Sequence, residues 1–343
     1  MAGNGRGAAL ILALLIVVLL AGLILEFDRM TRTDLMAAGN FRDGVKAAFL
    51  AKAGIEAGRG LLQEDALRGN PYDGPDELWG ASLAPLSASD GSIAIRIEDE
   101  AGKLNPNHLL GGPAGKKIPA KVAQMRRLIE ALDLDPHLVD VLVDWIDPDA
   151  EPEPFGAEEG YYRGLDPPYR AKNAHFESLS ELHLLKGVTD EVYRTLTPYL
   201  TVATPAPGKI NINTADPLVL RALDPRISHA LADRIVKARP FRRIEDLDRV
   251  SGMTQIAKEL RGLEQAYDIR SDTFLITSRG RVRDTSRLAR ATVVRSQIPQ
   301  KPVSVRVVSW RVDHVSPADS LRTTEEAQFH ADLSMVSVPS AAR

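Results

Sequence analysis

The chain has 343 residues, of which 44% are hydrophobic and 26% are charged, and its formal net charge is −3. This composition is that of a globular protein, and the near balance of charge excludes a general attraction to nucleic acid, which would need a strong basic excess. The absence of cysteine excludes a disulfide framework, cysteine-ligated zinc and thiol catalysis. No zinc-binding histidine pattern and no nucleophile motif occurs, so we expect a protein that is not an enzyme.

The first element in chain order is an apolar run at residues 8–25, in which every residue is apolar or is Gly22. As a helix these eighteen residues rise about 27 Å, which is close to the hydrocarbon thickness of a bilayer. The run leads into Glu26, Asp28 and Arg29 rather than into a small-x-small cleavage site, so we expect it to stay attached as a single membrane anchor.

The segment after the anchor predicts a continuation of the same helix to about Leu67. It contains no proline, and its apolar residues recur at near-helical spacing. Five glycines weaken the helix by about 1 kcal/mol each relative to alanine. The outer half would therefore need a sheet or another chain to cover its apolar face.

The middle of the chain begins as a strand and then becomes helical. Ser92–Asp99 alternates apolar and polar residues, which predicts a half-buried strand, and a turn then leads into a second short strand near Leu104 and Asn105. The predicted helices are Lys121–Leu132, Pro136–Ile146, Ser180–Leu185, Asp190–Leu200, Pro217–Leu223, Ser228–Ala238 and Ile244–Leu263. A loose repeat relates residues 181–189 to 246–254, in which glycine ends one helix and Thr189 or Thr254 is placed to cap the next.

The second helical unit, from Ile210 to Leu247, resembles a helix-hairpin-helix module. Such modules often bind the DNA backbone through glycine-rich hairpins whose amides face phosphate. The hairpin here, Leu223–Ser228, has no glycine and contains Asp224 and Pro225, which removes much of that cradle. We therefore favour a scaffold role and expect no nucleic acid partner, with a membrane-anchored DNA-binding protein of the competence type as the alternative.

An acidic cluster follows the second predicted helix. No lysine or arginine interrupts its carboxylates, which are Asp140, Asp144, Asp147, Asp149, Glu151, Glu153, Glu158 and Glu159. Acidic groups near a helix C-terminus are unfavourable, and many like charges on one short loop repel each other. A calcium ion, which takes six to eight oxygens in flexible geometry, would relieve both effects. On charge alone, a calcium site and a solvated acidic loop both remain open.

The C-terminal part predicts three strands, at residues 272–279, 288–296 and 303–312. Eight arginines make this region basic, and we expect them on the solvent face of an antiparallel sheet. They are Arg279, Arg281, Arg283, Arg287, Arg290, Arg295, Arg306 and Arg311. The polar residues from 317 onward predict a disordered tail.

Taken in order, these patterns resemble the protein K family of bacterial type II secretion systems. The resemblance is carried by the apolar helix after Gly7, by Leu104-Asn105-Pro106-Asn107, by residues 144–162, 180–200 and 209–215, and by the basic strands. In that family a prepilin peptidase cuts after the leader glycine, which implies cleavage between Gly7 and Ala8 and N-methylation of Ala8. The fifth mature residue would be Leu12, where most pilins have glutamate; protein K usually lacks that glutamate.

The resemblance implies an α+β, type IV pilin-like fold, in which a long N-terminal helix packs on an antiparallel sheet, with a large inserted all-α domain containing helix-hairpin-helix-like repeats. The implied boundaries are 1–7 for the leader, 8–25 for the transmembrane part and 26–67 for the periplasmic part of the helix, 68–108 for the first part of the sheet, 109–268 for the inserted domain, 269–316 for the last strands and 317–343 for the tail. The family binds calcium, and the matching positions are Asp147, Asp149 and Glu158, with Asp144 and Glu159 beside them. Trp145 is expected to be a core anchor.

The implied function is that of a minor pseudopilin. Such a subunit caps the tip of the pseudopilus and nucleates its assembly with the I and J types of minor pseudopilin, for export of folded proteins across the outer membrane. The other implied partners are the prepilin peptidase and the inner-membrane assembly platform. The chain would span the inner membrane once, with its bulk in the periplasm. A membrane-tethered periplasmic scaffold without a fibre role is the remaining alternative.

Overall fold

The computed structural model describes residues 5–81, 84–88, 90–112, 115–205, 208–262, 266–296 and 302–315. Its first element is a single helix of 64 residues, α1 (Gly5–Arg68), which confirms the prediction of one long helix. The helix ends where Gly69 takes a left-handed conformation with φ +71°. Residues 1–4 of the predicted leader and the predicted tail from 317 lie outside the described residues.

The main sheet has five antiparallel strands in the order β1-β2-β7-β8-β9. They are β1 (Leu86–Ala88), β2 (Gly91–Asp99), β7 (Thr273–Val282), β8 (Thr285–Ser296) and β9 (Ser304–Val315). β2 pairs directly with β7, so the chain leaves the sheet after Asp99 and returns to the adjacent position at Thr273. The helical segment is thus inserted between neighbouring strands, and the predicted pilin-like architecture is confirmed.

The outer half of α1 packs on one face of this sheet. Its buried residues Ala51, Ile55 and Leu62 lie against a core that includes Phe274 and Ile276. Gly54 and Gly58 allow this close approach. A Cβ at Gly58 would lie 2.8 Å from Ile276 Cγ2, and one at Gly54 would overlap the Ser278 side chain. These glycines weaken the isolated helix, but they let it approach the sheet closely enough to bury its apolar face.

The inserted segment is a bundle of short helices with small two-stranded sheets. Its α-helices are α2 (Pro119–Ala131), α3 (Leu138–Ile146), α4 (Glu159–Arg163), α5 (Asp190–Leu196), α6 (Pro217–Leu223), α7 (His229–Lys237) and α8 (Thr254–Gly262). The short strands are β3 (Leu110–Gly111), β4 (Lys116–Lys117), β5 (Ile210–Asn211) and β6 (Tyr267–Asp268). Its core is built on fully buried side chains such as Leu128, Leu142 and Trp145.

Several local predictions were wrong. The predicted short strand near Leu104 is absent from the described chain there, because Glu100–Gly102 and Pro106–Leu109 form 3-10 helices and Leu104 pairs only as an isolated bridge with Leu200. The predicted helix Ile244–Leu263 is divided into the 3-10 helix Ile244–Arg249 and α8, because Gly252 turns the chain with φ +94°.

Two single residues also depart from expectation. Thr189 caps α5 by accepting from Val192 N, as predicted. Thr254 instead lies inside α8, and its hydroxyl donates to Asp248 O at 2.9 Å. Arg295 was expected on the solvent face of the sheet, but it is buried because three acceptors surround its guanidinium inside the protein.

Candidate functional site

The acidic cluster folds into a compact group at the C-terminal end of α3. Asp144 lies in the last turn of α3, Asp147 follows its end, and Glu158 precedes α4. One carboxylate oxygen from each of the three lies within 4.8 Å of the others, and all three residues are buried. A loop rich in proline, residues 148–157, brings the two ends of this segment together.

The group has more oxygen acceptors than donors. Asp144 accepts from the backbone N–H of Glu153 at 3.1 Å. By contrast, Oδ1 of Asp147 and both carboxylate oxygens of Glu158 are buried without a hydrogen-bond partner. Buried polar atoms are nearly always paired, so three unpartnered oxygens that share one small space have the chemistry to accept a proton or a cation.

Burial and mutual repulsion raise the pKa of each member. Burial comes first for Glu158, followed by the charges of Asp144 and Asp147, and its pKa rises to about 7. Burial and the charge of Asp149, then that of Asp144, raise the pKa of Asp147 to about 6. Burial also raises the pKa of Asp144. The arrangement therefore favours either a bound proton or a bound cation near neutral pH.

A close contact and two side-chain hydrogen bonds to backbone carbonyls hold the loop around this group. Gly156 lies directly against Asp144, where any Cβ would overlap the carboxylate. Lys186, from the turn after the 3-10 helix Leu179–Leu184, donates to the carbonyl of Gly156 at 3.0 Å. Asn173, in a left-handed conformation with φ 46°, donates to the carbonyl of Asp149 at 2.7 Å. Sequence reasoning missed these three supports, because their contacts depend on the tertiary fold.

The structure brings together only some of the predicted ligands. Asp144, Asp147 and Glu158 form the group. All three supply hard oxygen ligands of the kind that calcium takes. Asp149 is exposed, and its carboxylate accepts from the backbone N–H of Glu151. Glu159 forms ion pairs with Arg163 and Arg170. Calcium binding stays a prediction, with these three residues as its ligands from the chain.

The Trp145 prediction is confirmed. The indole is only 2% exposed and packs edge-on against Tyr162, with ring centroids 5.3 Å apart. It fixes α3 in the core and leaves Asp144 and Asp147 facing the loop.

The charged side chains of the hairpin between α6 and α7 form ion pairs within the protein. Asp224 binds the guanidinium of Arg226 at 2.8 Å, and Arg226 also binds Glu259 at 2.6 Å. A phosphate cradle needs free backbone amides and free cations. Here the carboxylate of Asp224 takes the backbone N–H of Arg226 at 2.9 Å, so the hairpin geometry does not favour phosphate binding.

α1 has a second apolar surface besides the one that packs on the sheet. The mean hydropathy of its most apolar window is 3.0 and none of that window is buried, so α1 fits a single membrane anchor by length and composition. Farther along, apolar side chains continue on a face away from the sheet. We call this face the outer stripe; it consists of Phe27, Met30, Phe41, Val45 and Phe49, which are 72%, 64%, 76%, 41% and 66% exposed.

Comparison with known proteins places this geometry in a family. Residues 102–206 and 210–270 match two family models, both described as type II secretion system protein K. The chain is also 34% identical over 249 residues to the type II secretion system protein K of Pseudomonas aeruginosa, covering 68% of this chain and 72% of that protein. The chain belongs to the type II secretion system protein K family.

Other members of the protein K family extend the likeness. The chain is 26% identical over 309 residues to the protein K of Aeromonas hydrophila, covering 85% of this chain and 93% of that protein. A chain in the crystal structure of the GspK-GspI-GspJ complex from enterotoxigenic Escherichia coli superposes with a TM-score of 0.65 over 83% of this chain and all of that chain. At 20% sequence identity this last likeness concerns the fold.

Proposed function

We propose that this protein K family member is a minor pseudopilin that caps the tip of a pseudopilus and nucleates its assembly with I-type and J-type minor pseudopilins. The observation that carries the proposal is the outer stripe, joined to family membership. A solved structure that resembles this chain belongs to a complex named for GspK, GspI and GspJ, which supports partners of the same kind here. The fibre formed from this tip would export folded proteins across the outer membrane.

The outer stripe has the properties of a helix-binding surface. Its residues are spaced by three, eleven, four and four positions, which are all close to whole numbers of helical turns, so they lie along one side of α1 over about six turns. Single exposed apolar residues are common on proteins, but five large apolar side chains aligned on one side of a helix mark an interaction site. Because the row continues from the membrane-spanning part, a partner whose own helix also leaves the membrane would lie alongside it.

The proposed interface is testable by co-purification from detergent extracts. The full chain is co-expressed with its cognate I-type and J-type pseudopilins, and the stoichiometry of the purified complex is measured. Phe41→Glu with Phe49→Glu should abolish recovery of both partners, because carboxylates would be buried in the helix contact.

The matched control places the same change on exposed leucines away from the stripe. Leu78 and Leu86 are 45% and 52% exposed, and Leu78→Glu with Leu86→Glu should leave the complex intact. Loss of the complex in both double variants, or in neither, would contradict a partner site on the stripe.

The same proposal places the chain in the inner membrane, with its bulk in the periplasm. The prepilin peptidase would cleave between Gly7 and Ala8 and methylate Ala8, and the assembly platform would then extract the mature subunit. The apolar window of α1 supports a single anchor. We expect the protein to act by assembling into the pseudopilus, without a catalytic centre.

The proposed cofactor is calcium, held by Asp144, Asp147 and Glu158. A divalent cation would supply the positive charge that the unpartnered oxygens lack, and so would fix the loop between α3 and α4. The remaining coordination positions would need loop carbonyls or water. Isothermal titration of the chelator-treated full chain with calcium should show saturable binding, and a chain with Glu158→Gln should not show it.

A further inference from the structure

The described residues form two separate apolar cores. One lies in the helical domain, and the other lies between α1 and the sheet. The loop after α1 contributes one aromatic residue to each, since Tyr72 belongs to the helical core and Trp79 to the sheet core. A small or polar contact between two units leaves them free to move unless something else fixes them. The groups between Tyr72 and Trp79 therefore decide how the two units are held.

A buried arginine lies at this junction. Arg295 of β8 is 4% exposed. Its guanidinium donates to Asp65 at the end of α1 at 2.8 Å and to the carbonyl of Ser271 at 2.9 Å, and it also donates to Asp73. It lies over the Phe274 ring, 4.9 Å from the centroid. One side chain thus ties together the long helix, the loop after it, the returning chain and the sheet.

Asp73 is the residue that reaches both units. Its carboxylate binds Arg295 and accepts from the backbone N–H of Ser271 at 2.8 Å. Its backbone carbonyl accepts from the side chain of Asn211 in the helical domain at 3.1 Å, and its backbone N–H donates to Ile269 O at 2.8 Å. Every polar group of Asp73 is therefore used at the junction.

A second buried carboxylate extends the network toward the helical domain. Asp99, at the end of β2, accepts from Asn211 at 2.8 Å, from Thr214 at 2.6 Å and from the Ser271 hydroxyl at 2.6 Å. Asn211 and Ser271 therefore contact both Asp73 and Asp99. The two chain crossings between the units, after Asp99 and before Thr273, pass through this network.

We propose that Arg295 and Asp73 are positioning residues that lock the helical domain in one orientation on the sheet. The lock is polar because the two apolar cores do not merge across the junction. Its geometry needs the guanidinium fork, since three acceptors on three segments are reached at once. Lysine keeps the charge at this position but cannot make the same set of bonds.

The absence of cysteine makes the test direct, because spin labels attach only where cysteine is introduced. The full chain in detergent carries Glu191→Cys in the helical domain and Asp284→Cys in the turn between β7 and β8, both at exposed positions. Pulsed electron-spin distance measurement should give one narrow distribution. In Arg295→Lys, and in Asp73→Asn, the width of that distribution should increase about twofold.

Two controls separate loss of the lock from general loosening. A label pair inside the helical domain, Glu191→Cys with Lys237→Cys, should keep its wild-type width in both variants. Ile276→Ala, which damages the sheet core but removes none of the hydrogen bonds at the junction, should keep the distance between the two units narrow. Unchanged widths in both lock variants, or equal broadening in Ile276→Ala, would overturn the proposal.

Discussion

Two groups of three buried carboxylates occur among the described residues, and they differ in how their charges are met. Asp144, Asp147 and Glu158 leave three oxygens without partners. In Asp65, Asp73 and Glu77 every carboxylate oxygen accepts a hydrogen bond, from Arg295, Asn70, Trp79 or a backbone N–H. Residues of the same types, buried to a similar extent, thus have every carboxylate oxygen hydrogen-bonded in one group and three oxygens without a partner in the other.

The difference separates a structural role from a binding role. A buried carboxylate stabilises a fold only when donors replace the water that it lost. The group around Arg295 has those donors within the chain, so a cation is not needed there. The group after α3 lacks them, so its stability should depend on what solution supplies. Four changes test this contrast.

The largest effect is expected when the internal cation is removed. Arg295→Met leaves Asp65 and Asp73 buried without their partner, which should cost about 3–5 kcal/mol of unfolding free energy. Thermal unfolding of the full chain should show this loss equally in calcium and in chelator. If calcium restored the stability of Arg295→Met, the two groups would not be distinct.

The second largest effect is expected for Asp147→Asn, whose change in melting temperature relative to the wild type should depend in sign on calcium. Calcium at about one hundred times its dissociation constant should stabilise the wild-type chain by about 2.7 kcal/mol. Asp147→Asn removes a repelling charge, so in chelator its melting temperature should be equal to or higher than that of the wild type. In calcium it should be lower, because a ligand is lost. A lower melting temperature in chelator as well would contradict the cation account.

In the absence of calcium, the folding stability of the chain should depend on pH through the same carboxylates. The pKa of Glu158 is raised to about 7 and that of Asp147 to about 6, so the folded state holds these protons more tightly than the unfolded chain. Stability in chelator should therefore rise as pH falls from 8 toward 5. In calcium the part of this gain that comes from Glu158 and Asp147 should disappear, because protons and calcium compete for the same carboxylates.

Glu77 and Asp99 also have raised pKa values, of about 7 and about 6, because of burial, and they add to the same trend. Glu158→Gln isolates the contribution of the candidate metal group. The variant should show a smaller pH dependence in chelator than the wild type, and an identical dependence would assign the whole effect to the junction.

The smallest effect is expected at Asp149. Its carboxylate is exposed and lies outside the group, so it acts on Asp147 only through its charge, which water and salt weaken. Asp149→Asn should reduce calcium affinity no more than a few-fold, or about 1 kcal/mol. Complete loss of binding in this variant would make Asp149 a direct ligand.

Much of the fold could be predicted because it follows from local periodicity. The long helix, the alternating strands and α6 at Pro217–Leu223 were predicted close to their observed bounds. The 3-10 helices could not be separated from turns or α-helices by pattern alone. The acidic cluster was predicted as a set, but which of its carboxylates converge depends on the path of the loop around Gly156.

The junction could not be predicted, because its contacts join residues far apart in the sequence. Arg295 binds Asp65 and Asp73 across separations of 230 and 222 residues. In the alternation of β8, Arg295 is in phase with Ala289, Ala291 and Val293, so the pattern places it on the buried face. Only the tertiary fold shows which carboxylates it meets there.

The most direct test of the pseudopilin account is the mass and N-terminal residue of the protein made in cells with and without a prepilin peptidase. The account predicts loss of residues 1–7 and a methylated Ala8 only when the peptidase is present. An intact N-terminus in both cells would contradict it, and residues 8–25 would then be a plain membrane anchor.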